Sequence, residues 1–292
     1  MLLARGLAAG RHQVAVAAPG RWVLERHVRN AGIEMAIVPC RCCWLAAYDR
    51  QPLLLQVLRA ARFALPDPGR GRLRRWLQQV APDVVHINCL PHVRGVAAAR
   101  DLGLPVVWHV REILPPGARR RWFAAMLRRR AHTVVAVSDA VARWLREENL
   151  GGRVEVVHNG VEPPEEPLDT ARARLTLDLP ATGFMVGFFS QLVPHKGAAE
   201  FIRAARGALA KVPTMRLVIA GRGSDAERVA LQRQIDAGSD ADRIHLVPPQ
   251  DDIWPLLAAT DAVALASLTP DPLPRVVMEA MAAARPVVAF AT

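Results

Sequence analysis

Short apolar runs alternate with amphipathic stretches along most of this chain. The runs His12–Ala17, Glu34–Val38, Val84–Asn88, Val106–Val110, Thr133–Val137 and Val154–His158 have the length and β-branched content of strands. Helical periodicity fills the gaps, over Gly20–Ala31, Leu53–Phe63, Leu73–Val80, Arg94–Leu102, Arg119–Ala131 and Ser138–Asn149. The alternation then pauses and restarts. Strands are predicted at Phe184–Phe189, Met215–Ala220, Ile244–Val247, Ala262–Leu265 and Val287–Phe290, with helices over 197–210, 225–237, 252–258 and 274–284. Strands that are apolar along their whole length are covered on both faces, so the pattern predicts parallel sheets between layers of helices.

The pause is Glu-Pro-Pro-Glu-Glu-Pro at Glu162–Pro167, too proline-rich for either element, and it reads as a linker. A chain of 292 residues is long for one core and comfortable for two. The expected fold is therefore α/β: two doubly wound, Rossmann-like domains, 1–165 and 166–292, facing across a cleft. Ligands in such sheets sit beyond the carboxyl ends of the strands. Both ends read as cut. Met1–Gly10 looks like the back half of a helix whose preceding strand is missing, and the chain stops at Thr292 directly after a buried strand. The second domain is expected to be incomplete.

Charge divides the halves further. Residues 1–160 carry 25 Arg against 11 Asp and Glu, a net of +14; residues 161–292 carry 13 Lys and Arg against 16 Asp and Glu, a net of −3. Different partners are expected for the two halves. Arginine triplets bracket the apolar centre of Arg119–Arg130, and Arg70–Trp76 adds a second basic cluster. Basic residues beside Trp and Phe suit an anionic membrane surface, and a solvated helix face explains them equally well. No nucleic-acid-binding motif accompanies the charge, so nucleic acid is not an expected partner. No apolar run is long enough to span a bilayer and no signal peptide is visible, so the expected location is cytoplasmic, at most peripheral at the inner face of the membrane. Cys40, Cys42, Cys43 and Cys89 lack paired zinc-site spacing and read as reduced, structural thiols; no metal site is expected.

Two segments carry candidate chemistry. In Asp271-Pro272-Leu273-Pro274-Arg275-Val276-Val277-Met278-Glu279, a loop with one carboxylate leads into a helix with another. The start of that helix offers unpaired N–H groups to an anion, and a carboxylate behind it can accept from sugar hydroxyls. Purely structural roles are also available: Asp271 as N-cap before Pro272, and Arg275–Glu279 as a helical pair at i,i+4. The other segment, Ser190-Gln191-Leu192-Val193-Pro194-His195-Lys196-Gly197, follows a strand and opens a helix, which places a lysine where a diphosphate can meet it. Lys196 is one of only two lysines among 38 basic residues. The turn Gly221-Arg222-Gly223 reads as a tight turn before it reads as a phosphate loop.

These segments, with Leu-Val-Ile-Ala-Gly-Arg-Gly at 217–223 and Asp-Arg-Ile-His-Leu-Val at 242–247, resemble the donor-binding domain of retaining GT-B glycosyltransferases of family 4. The first half is similar to the same family at Pro-Asp-Val-Val-His (82–86), Val-Ala-Val-Ser (135–138) and Val-Val-His-Asn-Gly-Val (156–161). The resemblance implies transfer of a sugar from a nucleoside diphosphate sugar to a hydroxyl of a glycan or lipid-linked acceptor, with no metal or further cofactor. A sugar-nucleotide epimerase of the same fold and an inactive membrane-binding fragment are the alternatives.

By the same resemblance Lys196 contacts the diphosphate, Glu279 the ribose, and Asp271 the hydroxyls of the transferred sugar. Gln191, Gly197, Pro272, Leu273 and Pro274 complete the donor site. Asp271 stands where the family more often has Glu, and Gln191 where it usually has Arg. In the first half, Arg111-Glu112 fall on the register of a His-Asp pair near the donor sugar, with His109 two residues earlier; His109 and Arg111 share a strand face. The family continues past Thr292 into a Gly-rich loop beside the donor.

Overall fold

The computed structural model describes residues 2–20, 23–43, 65, 67–166 and 169–292. They form two compact units, Met1–Asn159 and Gly160–Thr292. The proline-rich stretch lies at the start of the second unit, and residues 160–164 have no regular structure. Every strand pairing is parallel.

In the first unit, α1 (Leu2–Ala9) leads to β1 (Ala15–Ala18), α2 (Val23–Asn30) and β2 (Glu34–Ile37), and β1 and β2 pair with each other. Then come α3 (Pro68–Val80), β3 (Val85–Asn88), α4 (Val93–Arg100), β4 (Val106–Val110), α5 (Ala118–Arg130), β5 (Thr133–Ala136), α6 (Asp139–Glu147) and β6 (Val154–Val156). Strands β3 to β6 lie side by side in chain order. The helix expected over Leu53–Phe63 lies outside the described residues. Helix α3 starts earlier than the periodicity suggests, because Asp67 caps the Gly69 N–H at 2.9 Å and Pro68 occupies the first turn. The core is mainly apolar: Val106, Trp108 and Val110 of β4 are fully buried, as are Phe123 and Leu127 of α5, with His109 and Arg120 among its few polar members.

The second unit contains α7 (Thr170–Thr176), β7 (Phe184–Phe189), α8 (Ala198–Lys211), β8 (Met215–Ala220), α9 (Asp225–Asp236), β9 (Ile244–Leu246), α10 (Trp254–Ala259), β10 (Ala262–Leu265), α11 (Arg275–Ala282) and β11 (Val287–Ala289). Helix α7 escaped the sequence pattern because it is short. It is held by an Asp169 cap and by Arg174, which donates to the Ala259 and Ala181 carbonyls and pairs with Asp261 at 3.0 Å. Alternate residues of each strand feed two cores. Met185, Phe189, Val218 and Ala220 face α10 and α11, while Phe188, Leu217 and Ile219 face α8 and α9.

The strand order β11-β10-β7-β8-β9 makes this sheet doubly wound. From β7 the chain first builds outward through β8 and β9, then returns to β7's other side with β10. The ends of β7 and β10 therefore bound the point where the order reverses, the crevice in which open α/β sheets bind ligands. Lys196 follows β7 and Asp271 follows β10.

Candidate functional site

The loop after β7 is fixed by backbone contacts before any side chain is considered. Ser190 N–H donates to the Ala220 carbonyl at 3.2 Å and Leu192 N–H to the Arg222 carbonyl at 2.8 Å. Gly221 allows this closeness, since a Cβ there would lie 1.6 Å from the Ser190 carbonyl oxygen. The Gly221-Arg222-Gly223 segment thus serves as a packing turn. Next, Pro194–Lys196 forms one turn of 3₁₀ helix and Gly197 begins α8 at φ +77°, a left-handed conformation that favours glycine. A Cβ on Gly197 would sit 1.9 Å from the Ala266 carbonyl oxygen. Leu268 N–H donates to the His195 carbonyl at 2.9 Å. The turn carrying Lys196 is thereby clamped to the segment after β10, which carries Asp271.

That clamp brings together the two residues the sequence places 75 positions apart: Lys196 Nζ lies 2.5 Å from Asp271 Oδ2. Asp271 is not a helix cap. Helix α11 begins at Arg275, with Pro274 at the cap position and no side-chain cap bond. Pro272 and Pro274 have no N–H, so only Leu273, Arg275 and Val276 can present backbone donors at this helix start. Glu279, one turn into α11, is 6% exposed, and its Oε1 accepts from Arg275 Nη2 at 2.6 Å. A cavity of about 330 Å³ is lined by Gln191, Lys196, Asp271, Pro274, Arg275 and Glu279, with Phe189, Ile253 and Leu265 among its apolar walls. Gly197, Pro272 and Leu273 flank it through the chain rather than line it.

Helical spacing marks Arg275 only as a helix-surface partner, whereas it lines the cavity. One signal was available: a cation in the first turn of a helix opposes the helix dipole, so its placement calls for a reason.

His109 and Arg111 belong to the first unit and form a cluster of their own at the carboxyl ends of β3 and β4. The His109 ring stacks on His86 at 5.5 Å and 11°, and it is 8% exposed. Burial, helped by the neighbouring His86 and the Arg111 guanidinium, pushes its pKa down to about 4, so it is neutral at pH 7. Its Nε2 has no hydrogen-bond partner among the described residues. Arg111 is half-buried and reaches Asn88 Oδ1 at 3.5 Å. Glu112 acts as the local brace, accepting from Leu90 N–H at 3.2 Å and Arg111 N–H at 3.0 Å, while burial raises its pKa. Burial likewise pushes the Cys40 thiol up to about 11 and the Cys89 thiol up to about 12. Both are protonated at neutral pH, as structural thiols are.

A second cavity, of about 360 Å³, lies in the first unit. Arg70, Arg94, Arg129 and Arg130 surround a floor of Val93, Ala97, Ala125 and Met126, with Trp122 at its side, 39% exposed. Among the described residues, no helix is long and apolar enough to cross a membrane.

Known proteins share this architecture. Residues 1–164 match the family described as Glycosyltransferase Family 4, and residues 183–292 match Glycosyl transferases group 1. A D-inositol 3-phosphate glycosyltransferase of Salinispora tropica is 34% identical over 177 residues, covering 55% of this chain and 36% of that protein. Its counterpart in Acidothermus cellulolyticus is 34% identical over 217 residues, 68% of this chain and 44% of that protein. The chain thus spans less than half the length of these curated relatives. Among solved structures, Anabaena Alr3699/HepE in complex with UDP-glucose aligns with a TM-score of 0.77 at 24% identity, covering 98% of this chain and 75% of that one. A glycosyltransferase from Rickettsia africae aligns at 0.73 and 16% identity, covering 98% and 73%. The structural likenesses show the GT-B fold, and the family match over more than half of the sequence shows that the chain belongs to glycosyltransferase family 4.

Proposed function

We propose that this chain transfers a glycosyl group from a nucleoside diphosphate sugar to a hydroxyl of a glycan or lipid-linked acceptor, with retention of anomeric configuration and without a metal or further cofactor. The observation that carries the reading is the cavity where the strand order reverses, which holds Lys196, Arg275, Asp271 and Glu279 together. Departure of a nucleoside diphosphate builds negative charge on the leaving group while the sugar ring becomes cationic. Lys196 and the N–H groups of Leu273 and Arg275 meet the first charge. Asp271 accepts from hydroxyls of the transferred sugar and holds the ring in line. Glu279, buried and lining the same cavity, accepts from the ribose hydroxyls. The family resemblance assigns Arg111 and neutral His109 of the first unit to the donor sugar as well. The neighbour HepE was solved with UDP and glucose, which supports reading this cavity as a donor site.

Titrating the chain with a panel of nucleoside diphosphate sugars tests this directly. Saturable binding of at least one donor is expected, weakened about tenfold or more by Lys196→Ala and by Glu279→Ala. A donor bound equally well by both variants would end the site assignment. Anomeric configuration of the product, read by NMR, tests retention.

The first unit supports an acceptor held at an anionic membrane surface. The four arginines around an apolar floor, with Trp122 beside it, combine the charge and the apolar contact that such a surface rewards.

A further inference from the structure

We infer that Arg275 is the second cation of the diphosphate site, and that a donor enters by exchanging two internal ion pairs for its own contacts. The inference rests on reading the cavity as a donor site. A sugar nucleotide presents two phosphate charges, and more charge develops as the diphosphate leaves. Gln191 lines the cavity without charge, so Lys196 and Arg275 are its only cations among the described lining residues.

Local structure gives Arg275 little reason to stand where it does. As the first residue of α11 it opposes the helix dipole, the unfavourable arrangement for a cation. Its pairing with Glu279 runs Arg-before-Glu, the weaker order along a helix. An anion bound at the same helix start would turn both features into gains. The partners also differ in freedom: the Arg275 side chain is 63% exposed and can swing, whereas Glu279 is fixed by burial.

Within the cavity the charges cancel in pairs, Lys196 with Asp271 at 2.5 Å and Arg275 with Glu279 at 2.6 Å. A bare buried carboxylate is costly, so neither cation can leave its acid without a replacement donor. A sugar nucleotide supplies the replacements. Its hexose hydroxyls take Asp271, its ribose hydroxyls take Glu279, and the two released cations turn to the diphosphate oxygens. A ligand with phosphates but no hydroxyls would strand both acids. Selection for the whole donor follows from that coupling.

Calorimetric titration of wild type, Arg275→Gln, Arg275→Lys and the double variant Gln191→Arg/Arg275→Gln tests the inference. The probes are UDP, GDP and ADP with the matching nucleosides, and thermal melting checks that each variant is folded. For the diphosphate bound best by wild type, Arg275→Gln is expected to weaken binding about 10–100-fold, and that of its nucleoside by less than about threefold. Arg275→Lys keeps the charge and loses less, and the double variant regains most of the affinity that Arg275→Gln alone loses. Equal losses for diphosphate and nucleoside, or no loss for either, would overturn the role of Arg275 while leaving the donor site standing. If wild type binds neither these diphosphates nor any member of the nucleoside diphosphate sugar panel, the donor-site reading falls and this inference falls with it.

Discussion

The two cavities are nearly equal in volume, about 330 Å³ in the second unit and about 360 Å³ in the first, yet their charges are arranged in opposite ways. In the second unit each cation of the cavity has its own acid within 2.6 Å, so the lining charges sum to zero. In the first unit four arginines share one apolar floor. Arg70 is taken by Asp101 at 2.6 Å and Arg94 lies 3.9 Å from Asp67, while Arg129 and Arg130 form no ion pair among the described residues. Paired charges suit a ligand that brings donors and acceptors in register. An excess of one sign suits a broad anionic surface, to which position matters less and salt matters more.

Three experiments break or sharpen that comparison. The largest effect is expected from Gly197→Ala, which puts a side chain against the Ala266 carbonyl in a left-handed conformation. Strain and overpacking together should cost about 3 kcal/mol or more and loosen the Lys196–Asp271 clamp. Thermal melting and donor titration should fall together; a variant with unchanged melting would show that the clamp is not rigid.

The next effect belongs to the first unit's strand ends. His109 has its pKa lowered to about 4 in the folded chain, against about 6.5 when unfolded. Between those values the unfolded chain binds the proton and the folded chain does not, so stability is lost as pH falls from about 6.5 toward 4. The loss is at most about 3 kcal/mol. Glu112, with its raised pKa, works in the opposite sense as pH rises above its unfolded value. Comparing wild type with His109→Gln isolates the histidine: the acid-side slope of the melting temperature should shrink in the variant, and identical slopes would refute a buried neutral ring.

The smallest effect concerns the arginine-rimmed cavity. Arg129→Ala/Arg130→Ala should weaken binding to vesicles containing anionic phospholipid by about 2 kcal/mol at low salt, or roughly thirtyfold. Donor binding should be unchanged. Wild-type binding indifferent to anionic lipid would remove the membrane reading, and a matching loss of donor affinity would show that the two cavities are not independent.

Much of the fold is legible in the sequence because it depends on local rules. Val106–Val110, Phe184–Phe189, Met215–Ala220 and Ala262–Leu265 are strands with the same ends in sequence and structure, since each is an apolar run bounded by turn residues. Boundaries slip where capping competes with periodicity, as at α3, and the short α7 is missed because tertiary contacts through Arg174 hold it in place. Of the proposed donor site, Lys196 and Asp271 are visible as residue types beyond strand ends and Glu279 as a carboxylate in the following helix. Their pairing is not visible, because it depends on the order of strands in the sheet.

The sequence by itself determined an alternating α/β chain, its break near the proline-rich stretch, the charge asymmetry of its halves, and the two segments able to carry donor chemistry. Only the tertiary structure decided that β10 pairs with β7, so that segments 75 residues apart meet at one crevice. It likewise made Arg275 a cavity residue and buried the His109 ring. Hydrophobic patterning and turn chemistry act over a few residues and can be read along the chain. Charge pairing and burial depend on which strands become neighbours, a choice made by packing the whole sheet.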